Sequence, residues 1–386
     1  MTRLKKAIRF SLVVFACLVI LAVWFWQGKW QQPLGPALQI RTVTPFQMPA
    51  TWTPDASAIE TLQVETPARS VFRASPQPTL TAYTGLCGGP PVMNILAIGA
   101  DTRGNNYLYG LADVIRLVRV DFMNAKVTVL EIPRDLWVEI PDIADNLNGQ
   151  DHEKLNQAYL YGNPGMKYTD DPAQGPGLLA RTLALNFGTQ IDHYAAVNMR
   201  TFEKIVNAVG GIDVNLPETV DGRTPDDMNK RLLFLSGTHH LNGTQALTLA
   251  RIRIEGGFAR AENQNRVLCA LRDQLTSPGV VTKIPDLIRA FQGAIQTDLS
   301  PEQLSQLACL GTQIPSGDIV FATFPAEHFK PTRQYDPVFK KRISIWDVDF
   351  KILREYIRQF HEGTWPAQTP AQPAEAEEEG EASFCP

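Results

Sequence analysis

The chain has 386 residues, 44% of them hydrophobic and 20% charged, with a formal net charge of −4. That is a globular composition, and so nearly neutral a balance supplies no basic field for a nucleic-acid partner. The charge is uneven at the ends. Arg3, Lys5, Lys6 and Arg9 precede residue 10 without an acid, and Glu375, Glu377, Glu378, Glu379 and Glu381 crowd the last dozen residues without a base.

Residues 1–9 read as a cytoplasmic basic tail. Residues 10–26, FSLVVFACLVILAVWFW, carry no charge and at about 1.5 Å per residue reach roughly 25 Å, which predicts a transmembrane helix. Trp24, Trp26 and Trp30 fall at its far end as an interfacial aromatic belt does. The basic residues precede the run, so the rest of the chain is expected outside the cytoplasm, in a single-pass cell-membrane protein. A cleaved signal peptide is the alternative, but WFWQGKW offers no small-x-small cleavage site. Residues 27–88, rich in Pro, Thr, Gln and Ala, read as an extracytoplasmic linker.

Regular structure is predicted from residue 92 onward. MNILAIG (93–99), DVIRLVRVD (113–121) and KVTVLEIP (126–133) read as strands, the last stopped by Pro133. The short loop between the second and third suits a hairpin. GLLARTLALNFG (177–188) reads as a helix with a glycine stop, IDHYAAVN (191–198) as a strand, TFEKIVNAVGG (201–211) as an amphipathic helix and IDVNLP (212–217) as a strand. Asn242 opens a helix over 241–253, and further helices are expected at 264–275, 281–294, 301–311 and 348–360, with a strand at 318–325. This alternation predicts an α/β fold with a mixed central sheet sandwiched by helices. Residues 89–275 form the expected catalytic domain, 276–362 a C-terminal extension packing on that core, and 363–386 a disordered acidic tail. Of Cys17, Cys87, Cys269, Cys309 and Cys385, the last four can pair outside the cytoplasm, and Cys269–Cys309 is the first guess, although spacing alone does not fix connectivity.

The hairpin carries a geometric consequence. If Asp121 faces Lys126, continuing the ladder brings Asp113 opposite Arg134 at its open end, and Asp101 leaves the first strand at the same edge. Ligand sites in α/β folds lie where strands end. Two adjacent carboxylates call for a raised pKa or a cation, and a hard divalent ion such as Mg²⁺ suits both them and phosphate oxygens. Arg134 has the planar fork that grips phosphate. On these residues alone, a surface salt bridge among Asp113, Arg134 and Asp135 is the simpler reading. A second cluster, Arg251, Arg253, Arg260 and Arg266, reads either as an anion site or as a solvated helical face. Lys154 is either a point charge for phosphate or merely exposed, and His193, within a strand, reads as structural. No GxSxG, HExxH or P-loop pattern is present.

Six stretches in this order resemble the LytR-CpsA-Psr family: NILAIGADTR (94–103), LADVIRLVRVD (111–121), VLEIPRDLWVEIP (129–141), KLNQAY (154–159), IDHYAAVNMRTFEKIVNAVGGIDV (191–214) and LNGTQALTLARIR (241–253). The resemblance implies an extracytoplasmic phosphotransferase. Such an enzyme moves a glycopolymer phosphate, as in teichoic acids, from a polyprenyl pyrophosphate carrier to peptidoglycan during cell-wall biogenesis. It implies that Asp101 and Asp113 hold Mg²⁺, and that Arg134, with those two acids, acts at the bond being broken. It assigns Arg103, Lys154, Arg251, Arg253, Arg260 and Gln264 to pyrophosphate binding. The chain departs from the family at Gly257, where an acid is common, and at Asn263, where Arg is common. A polyprenyl pyrophosphate phosphatase and a non-enzymatic transcriptional attenuator are the competing readings. Nine residues on the cytoplasmic side are too few for a DNA-reading module.

Overall fold

A computed structural model describes residues 28–40, 85–102, 104, 106–147, 149–223, 232–252, 257–277, 279–280, 294–366 and 382–385. The expected transmembrane segment 10–26 and the helix expected at 281–294, apart from residue 294, lie outside these. Among the described residues no helix is long and apolar enough to cross a membrane.

The first strands are β1 (Val92–Ala100), β2 (Ala112–Asp121), β3 (Lys126–Glu131), β4 (Trp137–Glu139) and β5 (His152–Lys154). Helices α1 (Leu155–Gly162) and α2 (Gln174–Phe187) follow, then β6 (His193–Asn198) and α3 (Met199–Ala208). Strands β7 (Ile212–Leu216), β8 (Val220–Asp221), β9 (Leu233–Phe234) and β10 (Gly237–Leu241) lead to α4 (Gly243–Arg251) and α5 (Gly257–Thr276). The chain continues with β11 (Ile295–Thr297), α6 (Pro301–Gln313), β12 (Ile319–Ala322), β13 (Lys330–Asp336), β14 (Lys341–Asp347), α7 (Phe350–Glu362) and β15 (Ala382–Phe384).

Seven strands form one sheet in the order β11-β6-β1-β2-β3-β12-β15. It is mixed, as expected: β1 runs parallel to β6 and antiparallel to β2, and β3 runs parallel to β12. Period-two alternation along the strands builds two cores. On one face Leu96, Ile98, Ile115, Leu117 and Leu130 bury against Leu155, Tyr159, Leu179 and Leu183 of α1 and α2 and against Leu353, Ile357 and Phe360 of α7. On the other, Met93, Ile95 and Val120 meet Leu310 of α6 and Ile314 just beyond it. A separate cluster joins Val206, Ile212, Val214, Leu241, Leu249 and Val267 around α3, α4 and α5.

Local signals act as the sequence predicts. Asn242 caps α4 with a full capping box shared with Gln245, and Gly188, at φ 71°, ends α2. β2 and β3 pair Asp121 with Lys126 and Arg116 with Glu131.

Three expectations are corrected. The extension 276–362 is more than a layer on the core, because β11 and β12 are strands of the central sheet itself. At the end of the segment expected to be disordered, Ala382–Phe384 form β15 and pair with β12, while the acidic residues 375–381 lie outside the described residues. The bridges are Cys87–Cys309 and Cys269–Cys385, in place of Cys269–Cys309: Cys309 on α6 lies beside the short turn Leu86–Gly88, whereas Cys269 on α5 lies over the strand end that carries Cys385. The proline-rich stretch is also partly fastened down. Leu34 N donates to Leu299 O at 3.2 Å, Tyr194 donates to Pro36 O at 3.1 Å, and Leu38 and Ile40 pack on the larger core.

A covalent tie on an edge strand supplies what three residues of ladder cannot. Replacing both Cys269 and Cys385 by Ser is expected to lower Tm by roughly 4–12 °C and to speed amide exchange along β12 while β1 and β2 stay protected. Unchanged exchange at residues 319–322 would show that β15 is held without the bridge.

Candidate active site

The site begins with an irregularity. Gly99 pairs with Val114 but Ala100 pairs with Ala112, so Asp113 is an extra residue bulged out of β2. Bulges re-aim side chains at sheet edges. On the other side, Ile132 N makes the last ladder bond, to Ile115 O, and Pro133 ends the strand, so Arg134 leaves the sheet just where Asp113 leaves it. Arg134 Nη1 donates to the Asp113 carboxylate, and its Nε donates to Asp135 Oδ2 at 3.3 Å. Lys154 Nζ, at the end of β5, donates to Asp135 Oδ1 at 2.7 Å. Asp113, Arg134, Asp135 and Lys154 therefore form a row of alternating charge with side chains 18–29% exposed. Pairs so open to water contribute about 0–1 kcal/mol each, too little to explain three of them on one edge as scaffolding. Asp101 stands at the same edge. Its amide donates to Leu111 O, and its Oδ1 accepts from Leu111 N at 2.7 Å, closing the neck of the loop between β1 and β2.

A cavity of about 310 Å³ opens beside this row. Its floor is β1, β2 and β6, contributing Ala97, Gly99, Val114, Ala195 and Val197; its walls are Phe202 and Ile205 of α3, Leu247 of α4 and Val267, Leu268 and Leu271 of α5. A Cβ on Gly99 would come within 2.9 Å of Val114 Cβ, so the bare backbone there keeps the cavity beside Val114 clear. The polar groups on the lining are few: Asp113, Arg116, Asn198, Arg251 and Gln264. An apolar chamber with few polar groups is built for a ligand with a long apolar part and a charged end.

The residues singled out from the sequence divide as follows. Asp101, Asp113, Arg134 and Lys154 converge on the strand edge, and Arg251 and Gln264 join Asp113 on the cavity. Arg260 lies near the start of α5, and Arg103 and Arg253 lie outside the described residues. Arg266 turns elsewhere, pairing with Glu262 and reaching Asn263 at 3.4 Å. His193 is held by Gln303 and faces Asp298 at 3.4 Å, in keeping with a structural residue. Sequence reading missed Arg116, although a charge within the apolar run of a central strand was a visible signal.

Among the described residues no group of three or more His, Cys, Asp or Glu could hold a metal on its own. Asp101 and Asp113 nevertheless offer the all-oxygen pair that suits a hard ion taking its other ligands from water and phosphate.

A model of the LytR_cpsA_psr family matches residues 89–351. The chain belongs to that family. It is 30% identical over 218 residues to Regulatory protein MsrR of Staphylococcus aureus (strain COL), covering 55% of this chain and 58% of that protein. It is also 30% identical over 209 residues to the polyisoprenyl-teichoic acid–peptidoglycan teichoic acid transferase TagV of Bacillus subtilis (strain 168), covering 53% and 49%. The chain thus spans about half to three-fifths of the length of these curated relatives. Its fold matches the crystal structures of B. subtilis TagV (TM-score 0.52, 24% identity, 71% of this chain and 98% of that chain) and of protein gbs0355 from Streptococcus agalactiae (TM-score 0.55, 22% identity, 70% and 87%).

In this LytR_cpsA_psr chain the row of charge rests on a buried acid. Glu153, next to Lys154, is 0% exposed, and neither carboxylate oxygen has a donor among the described residues. Burial, then the neighbouring Asp336 of β13, pushes its pKa up to about 8. The folded carboxyl keeps its proton to about pH 8 while the unfolded one loses it near 4.5, so its contribution to stability is full below about 4.5 and is lost as pH rises through about 8. Glu153→Gln keeps the shape without the titration. Its Tm advantage over the parent chain is expected to grow from pH 5 to pH 8 in a thermal-melt series, and a constant difference across that range would refute the assignment.

Proposed function

We propose that this chain is a phosphotransferase acting outside the cytoplasmic membrane, which moves a glycopolymer phosphate from a polyprenyl pyrophosphate carrier onto peptidoglycan. The observation that carries the reading is the juxtaposition of the apolar cavity with Asp113, Arg251 and Gln264 on its lining and Arg134 and Lys154 next to them. A polyprenyl pyrophosphate has the matching two halves, one needing a dry apolar chamber and the other needing cations. The names of TagV, and of TagU of Oceanobacillus iheyensis at 30% identity over 218 residues, describe transferases of teichoic acid from a polyisoprenyl carrier to peptidoglycan. Two disulfides suit an oxidising compartment, and the uncharged run 10–26 behind a basic N-terminus suits a membrane anchor.

On this reading the prenyl chain lies between the sheet and helices α3, α4 and α5, and the pyrophosphate lies at the strand edge. Arg134 is held by Asp113 and Asp135, so its guanidinium is oriented before substrate arrives, and it stabilises charge that develops on the transferred phosphorus. Lys154 and Arg251 bind non-bridging oxygens. Arg103, Arg253 and Arg260 are further candidates for that role by family position. Asp101 and Asp113 would hold Mg²⁺, which when bound offsets phosphate charge and orients the group for in-line transfer. Positioning and electrostatics then account for the chemistry, with no covalent intermediate on the protein.

The test is transfer of a radiolabelled, lipid-linked polymer to peptidoglycan by the purified chain in detergent. Arg134→Ala is expected to slow transfer about 10²–10³-fold, as removal of one preorganised donor does, while the folded fraction is unchanged. Transfer at the parent rate would remove Arg134 from the chemistry. Release of prenyl phosphate at equal rate with and without acceptor, the polymer phosphate passing to water, would make the chain a pyrophosphatase.

A further inference from the structure

One positive charge in this site has no role in the mechanism above. Arg116 lies on β2, is 2% exposed, and lines the apolar cavity. Its Nη1 donates to Asn265 Oδ1 at 2.6 Å, and its Nη2 donates to Gln264 Oε1 at 3.2 Å and to Glu131 at 3.3 Å. The two amide oxygens orient the guanidinium without neutralising it. Glu131 reaches the guanidinium at Nη2, and its side chain is 28% exposed, partly screened by water. Nε is buried and has no partner among the described residues. Gln264 is itself fixed by donating to Ala250 O at 3.2 Å, so the guanidinium is tied to the corner of α4 that carries Arg251.

Such an arrangement costs stability. A buried, incompletely paired guanidinium pays a desolvation penalty, and replacing buried ions by apolar residues of similar volume is often neutral or stabilising. The bonds to Asn265 and Gln264 hold the charge at one place on the cavity wall, which is what a bound anion requires.

The register shows which part of an anion it faces. Arg116 pairs with Ala97, and Ala97 pairs with Ala195, and all three line the cavity. Asp113 lies three residues nearer the strand end, in the bulge, and Arg134 lies beyond the end of β3. Among the cations of the strand edge and the described cavity lining, Arg116 is therefore the one set along the floor strands, beside the apolar part of the cavity. We infer that Arg116 binds the inner phosphate of the carrier, the one esterified to the prenyl chain, and stabilises it as it leaves.

This rests on the carrier reading above. In the transfer, the acceptor oxygen bonds to the outer phosphorus and its proton goes to solvent. The bond from that phosphorus to the bridging oxygen breaks, and the oxygen leaves with the electron pair on prenyl phosphate. The inner phosphate thus gains negative charge during the reaction, and a fixed guanidinium beside it favours that change.

The experiment measures binding of geranylgeranyl phosphate and of geranylgeraniol, the same chain without phosphate, to the full-length protein in detergent. The parent chain is expected to prefer the phosphate. Arg116→Met, similar in volume, should weaken phosphate binding about tenfold or more and leave alcohol binding unchanged. Glu131→Gln should move the preference the other way, tightening phosphate binding several-fold, because it removes a competing carboxylate and leaves Arg116 in place. A parent-like preference in Arg116→Met overturns the inference. If that variant does not fold, an unchanged or weakened preference in Glu131→Gln overturns it instead. A parent chain that binds neither ligand overturns the carrier reading, a result distinct from the loss of Arg116's role alone.

Discussion

The antiparallel register of β2 on β3 is the constraint on which the rest of the site depends. With Asp121 against Lys126 and Arg116 against Glu131, alternation sends Ile115 and Leu117 into the core under α1 and α2 and sends Val114 and Arg116 to the cavity face. A slip of one residue would exchange these sets, putting two large aliphatic side chains in the cavity and a guanidinium in the main core. The burial that holds the register therefore also fixes where Asp113 and Arg134 emerge. The bulge adds the one deviation that strict alternation forbids, carrying Asp113 out of the strand and onto Arg134.

This part of the molecule was legible because its signals are local. A short loop, alternating apolar residues and a proline stop define the hairpin, and the meeting of Asp113 with Arg134 follows from extending the ladder. The caps at Asn242 and Gly188 were legible for the same reason. What was not legible depends on distant parts of the chain. β11 and β15 are three residues long and carry no usable period; they are strands because the edges of the sheet accept them, whereas β12 falls within the strand expected at 318–325. The pairing of Cys87 with Cys309 and of Cys269 with Cys385 follows from which segments the fold brings together, across 222 and 116 residues of sequence. The role of Arg116 was not legible because a strand is read by its apolar residues, and neither Arg116 nor Arg119 in the run ADVIRLVRVD shows from sequence which face it takes.

The departure at Asn263 takes on a different aspect beside Arg116. Asn263 is a buried, neutral side chain near the middle of α5. The two residues after it, Gln264 and Asn265, both accept from Arg116. The guanidinium at this end of α5 thus comes from β2 across the cavity wall, held between the sheet and the amides of the helix.

Charge balance links these pieces. Among the described residues around the cavity mouth and strand edge, the acids Asp101, Asp113, Asp135 and Glu131 equal in number the cations Arg116, Arg134, Lys154 and Arg251. Arg134 and Lys154 are already engaged by Asp113 and Asp135. A pyrophosphate entering the site brings negative charge beyond what these four cations offset, in addition to any met by Arg103, Arg253 and Arg260. On the function proposed here, that excess is what a divalent cation on Asp101 and Asp113 would neutralise. Asp113, which pairs with Arg134, is also one of the two residues that would hold such an ion. Asp135 is the partner that would keep the arginine in line when Asp113 is so shared, because it touches Nε and leaves the Nη groups for the anion.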